Sequence, residues 1–183
     1  MKILGWVLIA LVLVVAGIAG YAAMQPDVFR VERSVTVNAP AEKIYPLIED
    51  FHAWEQWSPF FDKDEPDTKI TYSGAQKGKG AVCSWSGKRL GAGSREITEA
   101  TPKEKVRIKL DFTAPMQAQM TADFILKREG LGTKVSWANY GSNPFVAKLF
   151  GIFMSMDKMM GDDMQSRLLD LKKTVEAAPE MKK

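Results

Sequence analysis

The sequence is poor in the residues that most chemistry needs. It holds one cysteine, Cys83, and one histidine, His52. A single thiol cannot form an intrachain disulfide, so cysteine usage says nothing about an oxidising compartment. Cys83, between Val82 and Ser84 in a strand-like run, reads as a small core residue, since free cysteine is among the most buried residue types. One histidine, one cysteine and scattered carboxylates provide none of the spacings that zinc requires, and no cofactor is expected. His52 has no serine or cysteine nucleophile near it in sequence, so a polar loop residue is the better reading than a general base. Gly78-Lys79-Gly80 and Gly91-Ala92-Gly93 are turn glycines that lack the context of a phosphate loop. Charge of one sign is also lacking. The 25 basic and 22 acidic side chains leave a net charge of +3, too small an excess to propose a nucleic-acid partner. No internal repeat or low-complexity block is present. With 46% hydrophobic and 26% charged residues the chain falls in the ordinary globular range, so disorder is not the default.

What is present begins at the N-terminus. Residues 3–24 carry no charge and are rich in Leu, Val, Ile and Ala, with Trp6 near one end and Tyr21 near the other. A hydrocarbon core about 30 Å thick takes roughly 20 apolar residues at 1.5 Å each, and Trp and Tyr suit the two water–lipid interfaces. Pro26 stops the helix, and Asp27 and Arg30 return the chain to water. The expectation is a transmembrane anchor over 1–26 and a single domain over 27–183. The rival is a cleaved signal peptide, for which Gly20-Tyr21-Ala22 offers small residues; the apolar stretch exceeds the usual signal core and only Lys2 precedes it. Counting positive charges, with Arg30, Arg33 and Lys43 after the helix, would place the domain inside. A two-residue tail bearing Lys2 commonly stays in the cytoplasm, and the expectation adopted is a single-pass membrane protein with its domain outside.

The rest alternates first at one period and then at another. Val31, Val35 and Val37 mark a strand over 29–38. Asn38 is expected to cap a short helix with Pro40 in its first turn and Ile44, Leu47, Ile48 and Phe51 on one face; Pro46 should keep it short or bend it. An aromatic cluster follows: Phe51, Trp54, Trp57, Phe60 and Phe61, either a packing plug or a lid. Strands are expected over 69–73, 81–86, 90–98, 105–112 and 118–126, with a last one through Val135 and Trp137. Lys105–Phe112 is the clearest, with Val106, Ile108, Leu110 and Phe112 on one face. Arg95 and Glu96 are adjacent in a strand, so one of them points inward. From Pro144 the period becomes helical, from Val146 through Leu149, Phe153, Met156, Met160, Met164, Leu168 and Leu171 to Val175, with Ser142 or Asn143 as the cap. Asp162 and Asp163, adjacent on this helix, point about 100° apart and read as a solvated face. The order is strand, one or two short helices, about six antiparallel strands and one long helix: an α+β fold in which a curved sheet is covered by its terminal helix.

The stretch Val31-Glu32-Arg33-Ser34-Val35-Thr36-Val37-Asn38-Ala39-Pro40-Ala41-Glu42-Lys43-Ile44-Tyr45-Pro46-Leu47-Ile48, the segment Trp54-Glu55-Gln56-Trp57-Ser58-Pro59-Phe60 and the terminal Met159-Met160-Gly161-Asp162-Asp163-Met164 resemble the SRPBCC superfamily of START-like, helix-grip proteins. Its polyketide cyclase/dehydrase-type branch is the nearest in pattern. The resemblance runs from about Phe29 to Val175. It implies a helix-grip fold, with a curved antiparallel sheet of about seven strands around a long C-terminal helix. It also implies an internal cavity for a lipid or another apolar small molecule. No catalytic motif is shared across the family, so no catalytic residue is assigned. The expected ligand-binding residues are Trp54, Trp57, Phe60, Trp85, Met120, Trp137, Phe153, Met156 and Met160. Selectivity is expected from inward polar groups such as Arg95, Asn139 or Tyr140. The alternatives are an enzyme of the cyclase/dehydrase type acting on a bound apolar substrate, and a structural or protein-interaction role with no ligand.

Overall fold

The computed structural model describes residues 2–58, 67–88, 90–153 and 155–177. A helix α1 (Lys2–Met24) leads into strand β1 (Val28–Val37) and a short helix α2 (Ala41–Glu49), followed by one 3-10 turn (Ala53–Gln56). Six strands come next: β2 (Lys69–Gly74), β3 (Ala81–Gly87), β4 (Gly91–Thr101), β5 (Lys105–Ala114), β6 (Ala118–Glu129) and β7 (Gly132–Ser142). Helices α3 (Phe145–Phe153) and α4 (Met156–Ala177) close the chain. The strands form one seven-stranded sheet in the order β1-β7-β6-β5-β4-β3-β2, antiparallel throughout. Only β1 is out of sequence order; it returns to pair with β7.

The period of two decides which side chains face α4. Register pairs Val35 with Val135, Leu126 with Val135, Phe124 with Trp137, and Val106 with Phe124. These side chains therefore line up across four strands on one face. Val37, Val106, Ile108, Phe124 and Val135 are fully buried there. Helix α4 presents Gly161, Met164, Leu168, Leu171 and Val175 to that face, at steps of three and four residues, and packs chiefly along β1. Gly161 leaves room for a side chain of β1. A Cβ at this position would fall on the Arg33 guanidinium, which lies across the helix to reach both carboxylate oxygens of Asp157 at 2.8 and 2.9 Å. Further along, Lys172 Nζ donates to the Thr36 carbonyl at 2.9 Å, and the Asn38 N–H donates to Glu176 Oε1 at 2.8 Å.

Three details depart from the sequence reading. The terminal helical pattern is split in two, with α4 starting afresh after Ser155, whose carbonyl accepts the Met159 N–H at 3.0 Å. Apolar steps of three and four continue across the break, so periodicity alone does not expose it. Helix α3 starts one residue later than expected, with the Lys148 N–H donating to the Pro144 carbonyl. Asn38 is not the cap of α2: Pro40 holds that position and no side chain caps it.

The outer face of the sheet is a polar ladder. Lys105 Nζ meets Glu99 Oε2 at 2.8 Å, Arg107 makes two hydrogen bonds to Asp123 at 2.7 and 2.9 Å, and the Tyr140 hydroxyl donates to Asp123 Oδ2 at 3.2 Å. Arg30 lies over the Tyr140 ring at 5.5 Å and pairs with Glu32 at 2.7 Å. Tyr140 is thus on the outside, not the inward position considered for it; it neighbours Asn139, and adjacent strand residues face opposite ways. Burial alone would raise the Asp123 carboxyl, but the Arg107 hydrogen bonds and charge, with Tyr140, outweigh it and hold the pKa below the usual 3.8. A carboxyl whose pKa is lowered by folding contributes stability above its unfolded value and loses it as pH falls through the folded one. Wild type is therefore expected to lose more stability than Asp123→Asn between about pH 5 and pH 2, measured by urea unfolding at each pH. Parallel losses in the two proteins would remove Asp123 from the acid response.

Candidate functional site

Helix α2 has nine residues, too few to persist by propensity alone, and the carbonyls of its last turn would be buried without partners. The aromatic segment that follows supplies them. Trp57 Nε1 donates to the Leu47 carbonyl at 2.9 Å and Trp54 Nε1 to the Ile48 carbonyl at 3.0 Å; the Gly78 N–H, from the β2–β3 turn, takes the Glu49 carbonyl at 2.8 Å. With the N–H groups so committed, the ring bodies turn into the core. Trp54 and Trp57 lie 5.0 Å apart, both pack edge-on against Phe124, and Phe124 stacks on Trp137 at 4.9 Å. These two tryptophans are a structural plug between α2 and the sheet. Pro59, Phe60 and Phe61 lie outside the described residues.

Beyond the plug is a small enclosed space of about 30 Å³, lined by Trp54, Trp85, Arg95, Ile108, Leu110, Ala122, Trp137 and Asn139. That is room for one or two waters. Gly93 makes way for Trp85, because a Cβ there would lie 2.6 Å from the indole ring. Two polar side chains reach the space. Trp137 Nε1 donates to Asn139 Oδ1 at 3.0 Å, and Asn139 Nδ2 lies 3.5 Å from Met164 Sδ. Arg95 is 4% exposed, with its guanidinium 4.4 Å from the Trp54 ring centre and 4.8 Å from that of Phe51. Its Nη2 is 3.5 Å from Cys83 Sγ. Burial pushes the Arg95 pKa down, and the neighbouring Cys83 opposes that shift; arginine keeps its proton in proteins.

Three of the expected site residues, Trp54, Trp85 and Trp137, meet around this space. Trp57 is buried behind them against Trp137. Met120 pairs with Leu110 across the β5–β6 ladder, on the inner face. Met156 and Met160 pack against the edge of the core from α4. Phe153 is the last residue of α3. Of the expected polar groups, Arg95 and Asn139 face the space. Arg95 rather than Glu96 points inward because it shares the face of Ile97, which register sets against Ile108. His52 is at the surface, stacked on Tyr72 at 4.0 Å with Nδ1 3.0 Å from Asp50. Asp162 and Asp163 are exposed, and Asp163 pairs with Arg167. No group of metal-ligating side chains occurs among the described residues. The space itself also needed Ile108, Leu110 and Ala122, all legible as inner-face strand positions.

The sequence profile of the family described as "Polyketide cyclase / dehydrase and lipid transport" matches residues 28–176. Among solved structures, the chain is similar to protein CV1439 from Chromobacterium violaceum: 20% identity over 83% of this chain and 99% of that one, with a TM-score of 0.57. Protein MLL2253 from Mesorhizobium loti is similar at 16% identity over 82% and 99%, TM-score 0.59. The di-domain ARO/CYC BexL from the BE-7585A biosynthetic pathway is similar at 13% identity, over 87% of this chain and 54% of that one, TM-score 0.61. At these identities the likeness is one of fold. No curated protein matches the chain significantly.

Trp57→Phe keeps an aromatic ring but strands the Leu47 carbonyl and leaves a void. A loss of about 2–4 kcal/mol is expected, read from denaturant unfolding of residues 27–183. A loss under about 0.5 kcal/mol, the range of ordinary surface changes, would show that the indole bond does not hold α2.

Proposed function

We propose that this chain, which belongs to the polyketide cyclase/dehydrase and lipid transport family, is anchored in a membrane by α1 and holds a lipid-like or other apolar small molecule between the inner face of its sheet and Trp54. The observation that carries the ligand reading is the enclosed space among Trp54, Trp85 and Trp137, apolar save for Arg95 and Asn139. Affinity would come from apolar surface removed from water, at about 25 cal/mol per Å². Orientation would come from the guanidinium and the amide, which suit an oxygen-bearing or anionic end group. The space must widen to accept such a molecule, and Met120, Met156, Met160 and Met164 are flexible side chains suited to that adjustment. Among the described residues that line it none is a carboxylate or a histidine, the groups most often used for acid–base catalysis. That favours binding over catalysis.

Anchoring rests on α1. It is the one helix among the described residues long and apolar enough to cross a membrane, over Gly5–Met24, and nearly all of that stretch is uncovered by the rest of the protein. A bilayer would cover it, with Lys2 retained on the cytoplasmic side and the domain outside. A cleaved signal sequence fits the same stretch and is told apart by the mass of the mature chain.

One observation favours a second reading. At about 30 Å³ the interior is nearly filled by its own side chains, as it would be in a domain that acts by surface contacts and holds no ligand. Titration with the fluorescent fatty acid cis-parinaric acid separates the two. Residues 27–183 suffice, because the hydrophobic core lies wholly within β1–α4. Saturable binding is expected, weakened about tenfold by Arg95→Met, which corresponds to losing about 1.4 kcal/mol. No binding by wild type would favour the ligand-free reading, and equal binding by both proteins would take Arg95 out of the site.

A further inference from the structure

Helix α3 has an unusual composition for a surface helix. Its sequence, FVAKLFGIF, contains one charge, Lys148. That charge is turned inward: Lys148 is 7% exposed and its Nζ meets Asp27 Oδ1 at 2.6 Å. The residues left facing outward are Phe145, Val146, Ala147, Phe150 and Gly151, with Val146 61% and Phe150 68% exposed. Every exposed position among its described side chains is therefore apolar.

The place of this face is as informative as its chemistry. Helix α3 packs against α1, and among the described side chains of α1 burial is confined to the last two turns, at Ile18, Ala19 and Ala22. The start of α3 is tied to the chain just beyond α1: Asn143 Nδ2 donates to the Pro26 carbonyl at 3.0 Å, and the Asn143 N–H donates to the Asp27 carbonyl at 2.7 Å. From Ile18 to Met24 the helix rises about 10 Å, comparable to the 5–10 Å depth at which amphipathic helices lie in a bilayer interface.

We propose that α3 lies in the membrane interface beside the end of α1, its outward face of Phe145, Val146 and Phe150 set among the lipid chains. The inference rests on the anchoring reading above and adds a second membrane contact, which fixes the domain's orientation where a single helix would leave it to swivel. It also gives direction to a groove of about 480 Å³ that runs between the end of α1, the start of β1, α3 and the start of α4. Phe29 and Met156 line this groove and also pack against the hydrophobic core. With α3 in the interface, the groove opens at the level of the lipid.

The test is the full chain reconstituted in vesicles of phosphatidylethanolamine and phosphatidylglycerol, with an environment-sensitive NBD label at one introduced cysteine: Leu13→Cys in α1, Phe150→Cys in α3, or Leu131→Cys in the β6–β7 turn. All three positions are exposed, so the label disturbs no core; Cys83 is fully buried, and wild type labelled in parallel corrects for it. Leu131 lies at the opposite end of β7 from α3, a strand of 11 residues or roughly 36 Å. The expected result is blue-shifted emission, quenched by doxyl-labelled lipid, at Leu13→Cys and Phe150→Cys, and water-like emission at Leu131→Cys. Quenching at Leu13→Cys with water-like emission at Phe150→Cys would overturn the role of α3 and leave the anchor standing. Water-like emission at Leu13→Cys would overturn both, and equal quenching at all three positions would overturn the oriented contact.

Discussion

Two indole N–H groups hold this domain in its working shape. Trp54 and Trp57 take the carbonyls of Ile48 and Leu47 at the end of α2, and in doing so their rings are committed to the core, against Phe124 and Trp137. A nine-residue helix with a proline inside it has little cohesion of its own. The tryptophans give it a C-terminal cap, bind it to the middle of the sheet, and form one wall of the interior. Without them the sheet could still pair, α4 could still pack along β1 and α2 would keep the burial of Ile44, Tyr45 and Ile48, but two carbonyls of its last turn would lose their partners.

That wall sets what the interior can be. On its far side stand Trp85, admitted by the missing side chain of Gly93, and Arg95, its charge laid against the rings of Phe51 and Trp54. A buried guanidinium in such surroundings is costly unless its neighbours compensate, and two aromatic faces do part of that. The interior thus combines apolar walls with one strong donor and one amide, the pattern of a site that binds by burial and orients by a few polar contacts. In the proposed account the molecule it takes comes from the bilayer that holds α1.

Much of this was legible in the sequence, and the misses fall at strand parity and helix ends. The alternation Val106, Ile108, Leu110, Phe112 fixes the inner face of β5, and the steps from Met164 to Val175 fix the inner stripe of α4, because both follow from local period alone. The inward turn of Arg95 and the outward turn of Tyr140 depend on which parity each strand presents, which is set by pairing: Ile97 against Ile108, Trp137 against Phe124. Asn38 has the chemistry of a helix cap, yet it lies two residues ahead of Pro40, the cap position of α2. The break before α4 leaves no mark on a periodicity that continues across it. Which residues share a face was legible from local period; which face turns inward was set by strand pairing, and where each helix begins left no mark on the period.

The measurement that bears most directly on the central claim is native mass spectrometry of the full chain, purified from the membranes of its source cell and followed by organic extraction. The account predicts a reproducible apolar molecule, bearing an oxygen-rich or anionic end group, retained through purification. A chain that carries no such molecule, and takes none up when offered lipid extract, would contradict it.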